Sequence, residues 1–345
     1  MDNEQVMSRI LTGLKPNANL HLGNYLGAVI PMVRSLNNLS TDDEMFMFIP
    51  NLHAITIATD YHKIPQNTVD NVKMYMAAGF DVDHKNLTLY RQSYVSAHAE
   101  LAWILSCFTY YGEAQRMTQF KDKSSKNEQV TVGLFTYPIL MAADILLYGA
   151  HYIPLGDDQR QHVELARDIA IRMNNKFETE LFTVPEPWNK QLEFMGLKEG
   201  VRIRSLSRPE SKMSKSENDP KGTITLSDDP AEAAKKIMSA TTDSIGVVNW
   251  DWENQPGITN LMQILALLEN KENEEVVAQW TGCQRYGDLK KAVATAVEVF
   301  LINFQEKLSH ISDEKVFDVL QQGERKAQQI ATKTLLQVQQ KVGLR

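Results

Sequence analysis

Through the first half of the chain, short runs rich in β-branched and aromatic residues alternate with stretches of helical apolar spacing. Ser8–Gly13, Met45–Ile49, Leu87–Tyr90 and Tyr152–Gly156 read as strands. Between and after them Tyr25–Leu36, Asn67–Gly79, Ala97–Phe108 and Gln159–Asn174 read as helices, the first shortened or kinked by Pro31. Strands separated by helices cannot pair as hairpins. They must run parallel, with helices covering both faces, so the spacing predicts an α/β fold with a doubly wound parallel, Rossmann-like sheet. Ligands of such sheets sit at the carboxyl ends of the strands. After Gly222 the strand pattern stops. Residues 231–240, 258–269, 274–279, 286–308 and 313–342 read as helices, with Pro230 near the first turn of the earliest. A break near 221–226 therefore separates an α/β domain from a C-terminal helical one, and the last helix is long enough to return to the first domain.

The 345 residues are 43% hydrophobic and 23% charged, which is ordinary for a globular protein of two domains. No apolar run approaches the roughly 20 residues of a membrane span, and the N-terminus lacks the basic and apolar regions of a signal peptide. The two cysteines, Cys107 and Cys283, stand alone, so neither zinc nor an iron–sulfur cluster is expected. A reducing cytoplasm fits this composition. The formal charge of −7 argues against a dedicated nucleic-acid binder, although local basic patches can still steer a polyanion.

Two segments carry chemistry. Lys212-Met213-Ser214-Lys215-Ser216 combines two cations with two hydroxyls and has no apolar face to bury; it is either an exposed basic loop or a partner for polyphosphate. Far upstream, Lys15-Pro16-Asn17-Ala18-Asn19-Leu20-His21-Leu22-Gly23-Asn24 links the first strand to the first helix. A helix start offers unpaired N–H groups and partial positive charge. Gly23 allows a nucleoside to approach the backbone, and His21 and Asn24 can donate to phosphate oxygens; a local hydrogen bond is the alternative for His21. Walker-type and dinucleotide-binding glycine patterns are both absent.

Taken in this order, His21-Leu22-Gly23-Asn24 and Lys212–Ser216 resemble the two-part ATP site of class I aminoacyl-tRNA synthetases. The segments at Asn51–Thr56, Met117–Ser124, Thr136–Tyr148 and Gly156–Leu165 resemble bacterial tryptophanyl-tRNA synthetases in particular, and the similarity extends from about residue 9 to the C-terminus. The resemblance implies ATP-dependent ligation of L-tryptophan to tRNA(Trp) through an adenylate. Magnesium would arrive with ATP rather than in a protein cage. It also implies a homodimer, a catalytic domain over 1–222 with a helical insertion, and an anticodon-binding helical region over 223–345.

Residue by residue, the resemblance assigns Lys212 and Lys215 to the leaving pyrophosphate, with Ser214 and Ser216 as hydroxyl donors. His21, Asn24 and Lys123 join them as phosphate-facing groups. Lys15, Pro16, Asn17, Gly23, Gly156, Asp157, Asp158, Ile203 and Met213 would complete the ATP site. For tryptophan it assigns Asp144 as acceptor of the indole N–H, Tyr137 and Gln159 to the amino acid's ammonium and carboxylate, and Met141, His53 and Leu11 to the pocket wall. An unpartnered carboxylate in an apolar stretch is costly. A site built around one rejects a ring that lacks the donor. Ion pairing or a helix terminus is the plainer reading of Asp144, and core packing that of Tyr137 and Met141. His98, Trp103, Trp250 and Trp252 read as structural.

The chain departs from the family pattern where Lys15 replaces the usual Gln, where Pro16-Asn17-Ala18 replaces Pro-Ser-Gly, and at Leu11, often an aromatic. Asn24 follows the tryptophan enzymes. The extra cation of Lys15 is expected to alter tryptophan affinity and to weaken tryptophan-mimicking inhibitors. A tyrosine-specific relative, a nucleotidyltransferase without tRNA and a non-enzymatic tRNA-binding paralogue are the competing readings.

Overall fold

The computed structural model describes residues 8–14, 20–37, 39–56, 60–118, 120–121, 130–156, 159–195, 202–214 and 219–345. Strands β1 (Arg9–Gly13), β2 (Glu44–Ile49) and β3 (Leu87–Arg91) form a parallel sheet in the order β1-β2-β3. Ile10 lies opposite Met45, and Met45 opposite Leu87. Of the expected fourth strand at 152–156, the described residues show one parallel bridge, between Tyr152 and Ile10. Pro154 has no N–H to extend a ladder.

Each strand is buried on both sides, as a parallel sheet requires. Ile10, Met45, Met47, Ile49 and Leu89 face one core, and Leu11, Phe46, Phe48 and Tyr90 face the other. His21 leads into a continuous helical run with three parts: α1 (Leu22–Asn24), a π-helical turn (Tyr25–Val29) and α2 (Ile30–Asn37). The wide turn has a local cause. Pro31 cannot donate and its ring crowds the preceding turn, so the Ile30 N–H bonds back to the Tyr25 carbonyl.

After β2 come α3 (Asn51–Ala54) and α4 (Ile64–Ala77), and after β3 come α5 (Ala97–Ser106) and α6 (Tyr111–Gln115). Next are α7 (Val132–Leu147), α8 (Arg160–Lys176) and α9 (Trp188–Met195). The chain finishes with α10 (Pro230–Met238), α11 (Pro256–Glu269), α12 (Asn273–Trp280), α13 (Tyr286–Ser309) and α14 (Asp313–Lys341). Helices α4, α10, α11 and α13 fill the first core; α5, α7 and α8 fill the second.

Helix α14 returns to the sheet and belongs to both cores. Val316, Val319 and Leu320 join the first; Ala327, Ala331, Leu335 and Val338 join the second. The crossing point is Gly323, where a Cβ would overlap the Leu89 carbonyl oxygen of β3. Beside it Glu324 holds Arg91 through two hydrogen bonds, of 2.5 and 3.1 Å. The Thr334 hydroxyl donates to the Leu147 carbonyl, and the Gln339 amide to Glu100. The helix thus covers the outer edge of β3, a row of backbone groups that would otherwise invite foreign strands.

Gly323→Ala should therefore lower unfolding free energy by about 1–3 kcal/mol, the usual cost of forcing a methyl into a packed contact. Gly287→Ala, on α13 with open space around it, should be neutral or slightly stabilising. Denaturant titration of the two variants measures the difference.

Candidate active site

The segments that leave the carboxyl ends of β2 and β3 are joined where Asn51 and Ser93 bond each other. From β1, the described chain resumes at Leu20, which with Leu22 pairs against Ile224 and Leu226: Leu22 N–H donates to the Ile224 carbonyl, and Leu226 N–H to the Leu20 carbonyl. His21 is buried, and its Nδ1 accepts from the Asn24 N–H at 3.1 Å. The local hydrogen bond is thus present. An accepting Nδ1 leaves the proton of a neutral ring on Nε2.

The two sequence motifs are in contact. At Gly23, an added Cβ would lie 3.3 Å from the Met213 Cβ and 3.0 Å from His21 Nδ1. Met213 is fully buried, and its N–H donates to the Ile203 carbonyl. Ser205 N–H donates to the Ser211 carbonyl, and Arg204 bridges Lys212 in antiparallel fashion, so 203–205 and 211–213 form a ribbon. The Thr223 hydroxyl donates to the Ser214 carbonyl, tying the ribbon to the segment that pairs with Leu22. Lys212 is exposed at the ribbon's edge; the Ile203 side chain is buried in the first core.

On the other side lies Asp144. It is fully buried on α7, yet it is not a bare carboxylate. Oδ1 accepts from Gln92 Nε2 at 2.7 Å and from His98 Nδ1 at 2.6 Å, and Oδ2 accepts from His53 Nε2 at 2.8 Å. Burial alone would raise its pKa. The hydrogen bonds and positive charge of His53 and His98 outweigh burial and bring it from 3.8 down to about 2. Each donor comes from a different element: His53 from α3 after β2, Gln92 from the turn after β3, His98 from α5.

The donors are themselves held. Gln92 Oε1 accepts the Leu52 N–H at 3.1 Å, so its amide nitrogen must face Asp144. His98 Nε2 meets the Tyr148 hydroxyl at 2.9 Å. Burial holds the Tyr148 phenol well above its ordinary range, so it keeps its proton. Asn51 and Ser93 bind each other twice, at 2.7 and 2.9 Å, and pin the β2 and β3 loops together.

Of the other expected pocket residues, Tyr137 is buried, with its hydroxyl 3.1 Å from His162 Nε2 and its ring set edge-on to His53 at 6.1 Å. Met141 is half-buried against the second core, and Leu11 is buried within it. Gln159 starts α8, and its N–H donates to the Gly156 carbonyl. Lys15, Pro16, Asn17, Lys123, Asp157, Asp158, Lys215 and Ser216 lie outside the described residues.

His98, read as structural, is fully buried and donates directly to Asp144. Trp103 is 72% exposed and supports no core. Trp252 does pack, with its ring under the Arg204 guanidinium at 4.3 Å. Gln92 and His98 escaped sequence reasoning because each is a lone polar residue near a strand end or on an apolar helix. The signal available was a buried Asp in want of donors. Among the described residues, no group of three or more His, Cys, Asp or Glu could hold a metal ion, and no helix is long and apolar enough to cross a membrane.

A lowered carboxylate pKa stabilises the fold fully above the unfolded value and loses that contribution as pH falls toward the folded one. The wild-type stability advantage over Asp144→Asn should therefore be constant above about pH 5. It should shrink as pH falls from 3.8 toward about 2. Denaturant midpoints of both proteins across that range test it.

Comparison with known proteins places the chain. The family model for tRNA synthetases class I (W and Y) matches residues 3–302. The tryptophan–tRNA ligase of Caldanaerobacter subterraneus subsp. tengcongensis is 48% identical over 338 residues, covering 98% of this chain and 99% of its own. That of Malacoplasma penetrans is 42% identical over 344 residues, covering 98% of each. The crystal structure of tryptophanyl-tRNA synthetase from Mycoplasma pneumoniae superposes with a TM-score of 0.81 at 36% identity, covering 99% of both chains. The Campylobacter jejuni enzyme, complexed with ADP and tryptophan, gives 0.79 at 34% identity, covering 97% of this chain and 100% of its own. With a parallel sheet, with Gly23 against Met213, and with likeness along its whole length, the chain belongs to the class I tRNA synthetases of the tryptophan and tyrosine group.

Proposed function

We propose that this protein joins L-tryptophan to tRNA(Trp) at the expense of ATP, in two steps. The tryptophan carboxylate attacks the α-phosphorus of ATP, pyrophosphate leaves, and tryptophanyl adenylate remains. A hydroxyl of the tRNA's terminal ribose then attacks the acyl carbon and AMP leaves. Neither step needs a protein nucleophile, so the protein's contribution is positioning and charge stabilisation. The observation that carries this reading is the contact of Gly23 with Met213. It brings the His21–Asn24 turn against Met213, in a chain whose full-length relatives are tryptophan–tRNA ligases.

In this reading His21, Asn24, Lys212, Lys215 and Lys123 face the phosphates, and Ser214 and Ser216 donate beside them. Gly23, Gly156, Asp157, Asp158, Ile203, Met213 and the loop of Lys15, Pro16 and Asn17 take the rest of ATP. Magnesium enters as part of the ATP substrate. Asp144 accepts the indole N–H, with Tyr137, Gln159, Met141, His53 and Leu11 around the amino acid. A phenyl ring would leave that acceptor position without a donor, and the full-length relatives favour tryptophan over the tyrosine alternative. Residues 1–222 form the catalytic domain with its helical insertion, and residues 223–345 meet the anticodon. Reaction in the cytoplasm fits these substrates.

Tryptophan-dependent ATP–pyrophosphate exchange is the direct assay. Lys212→Ala should reduce its kcat by about 100–1000-fold, the scale on which removal of one charge-stabilising donor acts. Exchange that depends on tyrosine instead would transfer the chain to the sister specificity.

A homodimer completes the proposal. Trp103 on α5, Tyr110 and Tyr111 at the start of α6, and Val132 at the start of α7 are 65–76% exposed, and α5 and α6 both pack on α7. Exposed apolar side chains of this kind support a contact between two copies. Light scattering should give twice the chain mass, and Trp103→Glu with Val132→Glu should shift the protein towards monomer.

A further inference from the structure

We infer that His98, oriented by Tyr148, is a positioning residue for tryptophan selection: together with Gln92 it occupies Oδ1 of Asp144 and leaves Oδ2 as the oxygen offered to the substrate ring. This rests on the reading of Asp144 as the indole acceptor and says how that acceptor is made selective.

An ionised carboxylate only accepts, through about two lone pairs on each oxygen. Oδ1 takes two donors, Gln92 Nε2 and His98 Nδ1, while Oδ2 takes one, His53 Nε2. The two donors on Oδ1 are immobile: Gln92 and His98 are fully buried, and each is held from behind, by the Leu52 N–H and the Tyr148 hydroxyl. Tyr148 is itself fully buried, and its ring packs against Phe46 at 4.9 Å and Tyr90 at 5.4 Å. Because the ionised Asp144 can only accept, His98 carries a proton on Nδ1, the atom that faces it, and the Tyr148 hydroxyl holds the ring at Nε2. His53 differs, since its side chain is 19% exposed and borders Tyr137. One acceptor position remains on Oδ2, on the His53 side. A ring N–H fills it, and a ring without a donor leaves it empty in a dry pocket.

The test uses pyrophosphate exchange with tryptophan and with β-(benzothiophen-3-yl)alanine, which replaces the ring N–H by sulfur at nearly the same shape. The readout is the ratio of kcat/KM for the two. His98→Leu should lower that preference by about tenfold or more through tryptophan KM, while analogue kcat/KM stays within about twofold. His98→Asn, whose Nδ2 can stand in for the ring Nδ1, should keep the preference within about threefold of wild type. Tyr148→Phe should lower it about threefold, and decides the matter alone if His98→Leu fails to fold. An unchanged preference in His98→Leu and Tyr148→Phe would overturn the inference. So would an equal loss for both substrates, or a His98→Asn variant as indiscriminate as His98→Leu. Asp144→Ala separates the underlying reading. If it keeps the preference, Asp144 is not the indole acceptor and both ideas fall. If it loses the preference while His98→Leu and Tyr148→Phe keep it, only the role of His98 falls.

Discussion

An ionised carboxylate with no solvent contact sets the terms for this half of the molecule. Removing a charge from water costs several kcal/mol even after relaxation, and a partner lost from such a site costs about 3–5 kcal/mol. Asp144 avoids that penalty only because α3, the turn after β3 and α5 each deliver a donor within 2.8 Å. Those elements are far apart in sequence. The register of β2 against β3, the Asn51–Ser93 link and the packing of α5 on α7 are therefore conditions for burying one charge. A fold that misplaced any of them would leave a bare anion in the core.

This dependence extends to the C-terminus. Gln92 directly follows Arg91, and Arg91 is gripped by Glu324 of α14. Both side chains of that pair are about nine-tenths buried, at 12% and 11% exposed, and the guanidinium stacks over the Tyr94 ring at 3.5 Å. The same helix donates from Thr334 to the end of α7 and from Gln339 to α5. It thus touches each of the elements that carry Gln92, His98 and Asp144. A buried ion pair is weak evidence for net stability, and its better-attested use is to fix register. Here it fixes α14 along β3, with Gly323 allowing an approach that no side chain would permit.

Much of the fold was legible in the sequence because parallel strands buried on both faces leave unbroken apolar runs, as at Met45–Ile49. The helices after Gly222 were legible from their 3.6-residue spacing and from Asp229-Pro230, where the Asp229 side chain does accept the Glu232 N–H. The π-helical turn was only half legible. Pro31 announced a disturbance but not its form; in the fold the helix widens at Tyr25–Val29, and Tyr25 packs on Phe300 of α13 at 4.7 Å. His53 was legible as a pocket residue, but the pairing of the carboxylate with its donors was not, for another reason. Gln92, His98 and His53 share no periodicity with Asp144, and only the sheet register brings them within reach of it.

The two motifs show how a locally uninformative segment becomes specific. Lys212–Ser216 has no apolar face, and sequence alone left it between a solvated loop and a phosphate partner. In the fold, Met213 supplies the missing anchor: its side chain is buried, and its backbone pairs with Ile203. An anchored residue flanked by Lys212 and Ser214 holds those polar side chains at a defined place, which a free loop cannot do. The anchor's neighbour is Gly23, and a larger residue there would press on both Met213 and His21. Gly23 therefore serves the contact between two chain segments as well as the access that the sequence suggested. The placement of Lys212 beside the histidine turn is set by one methionine seated against one glycine.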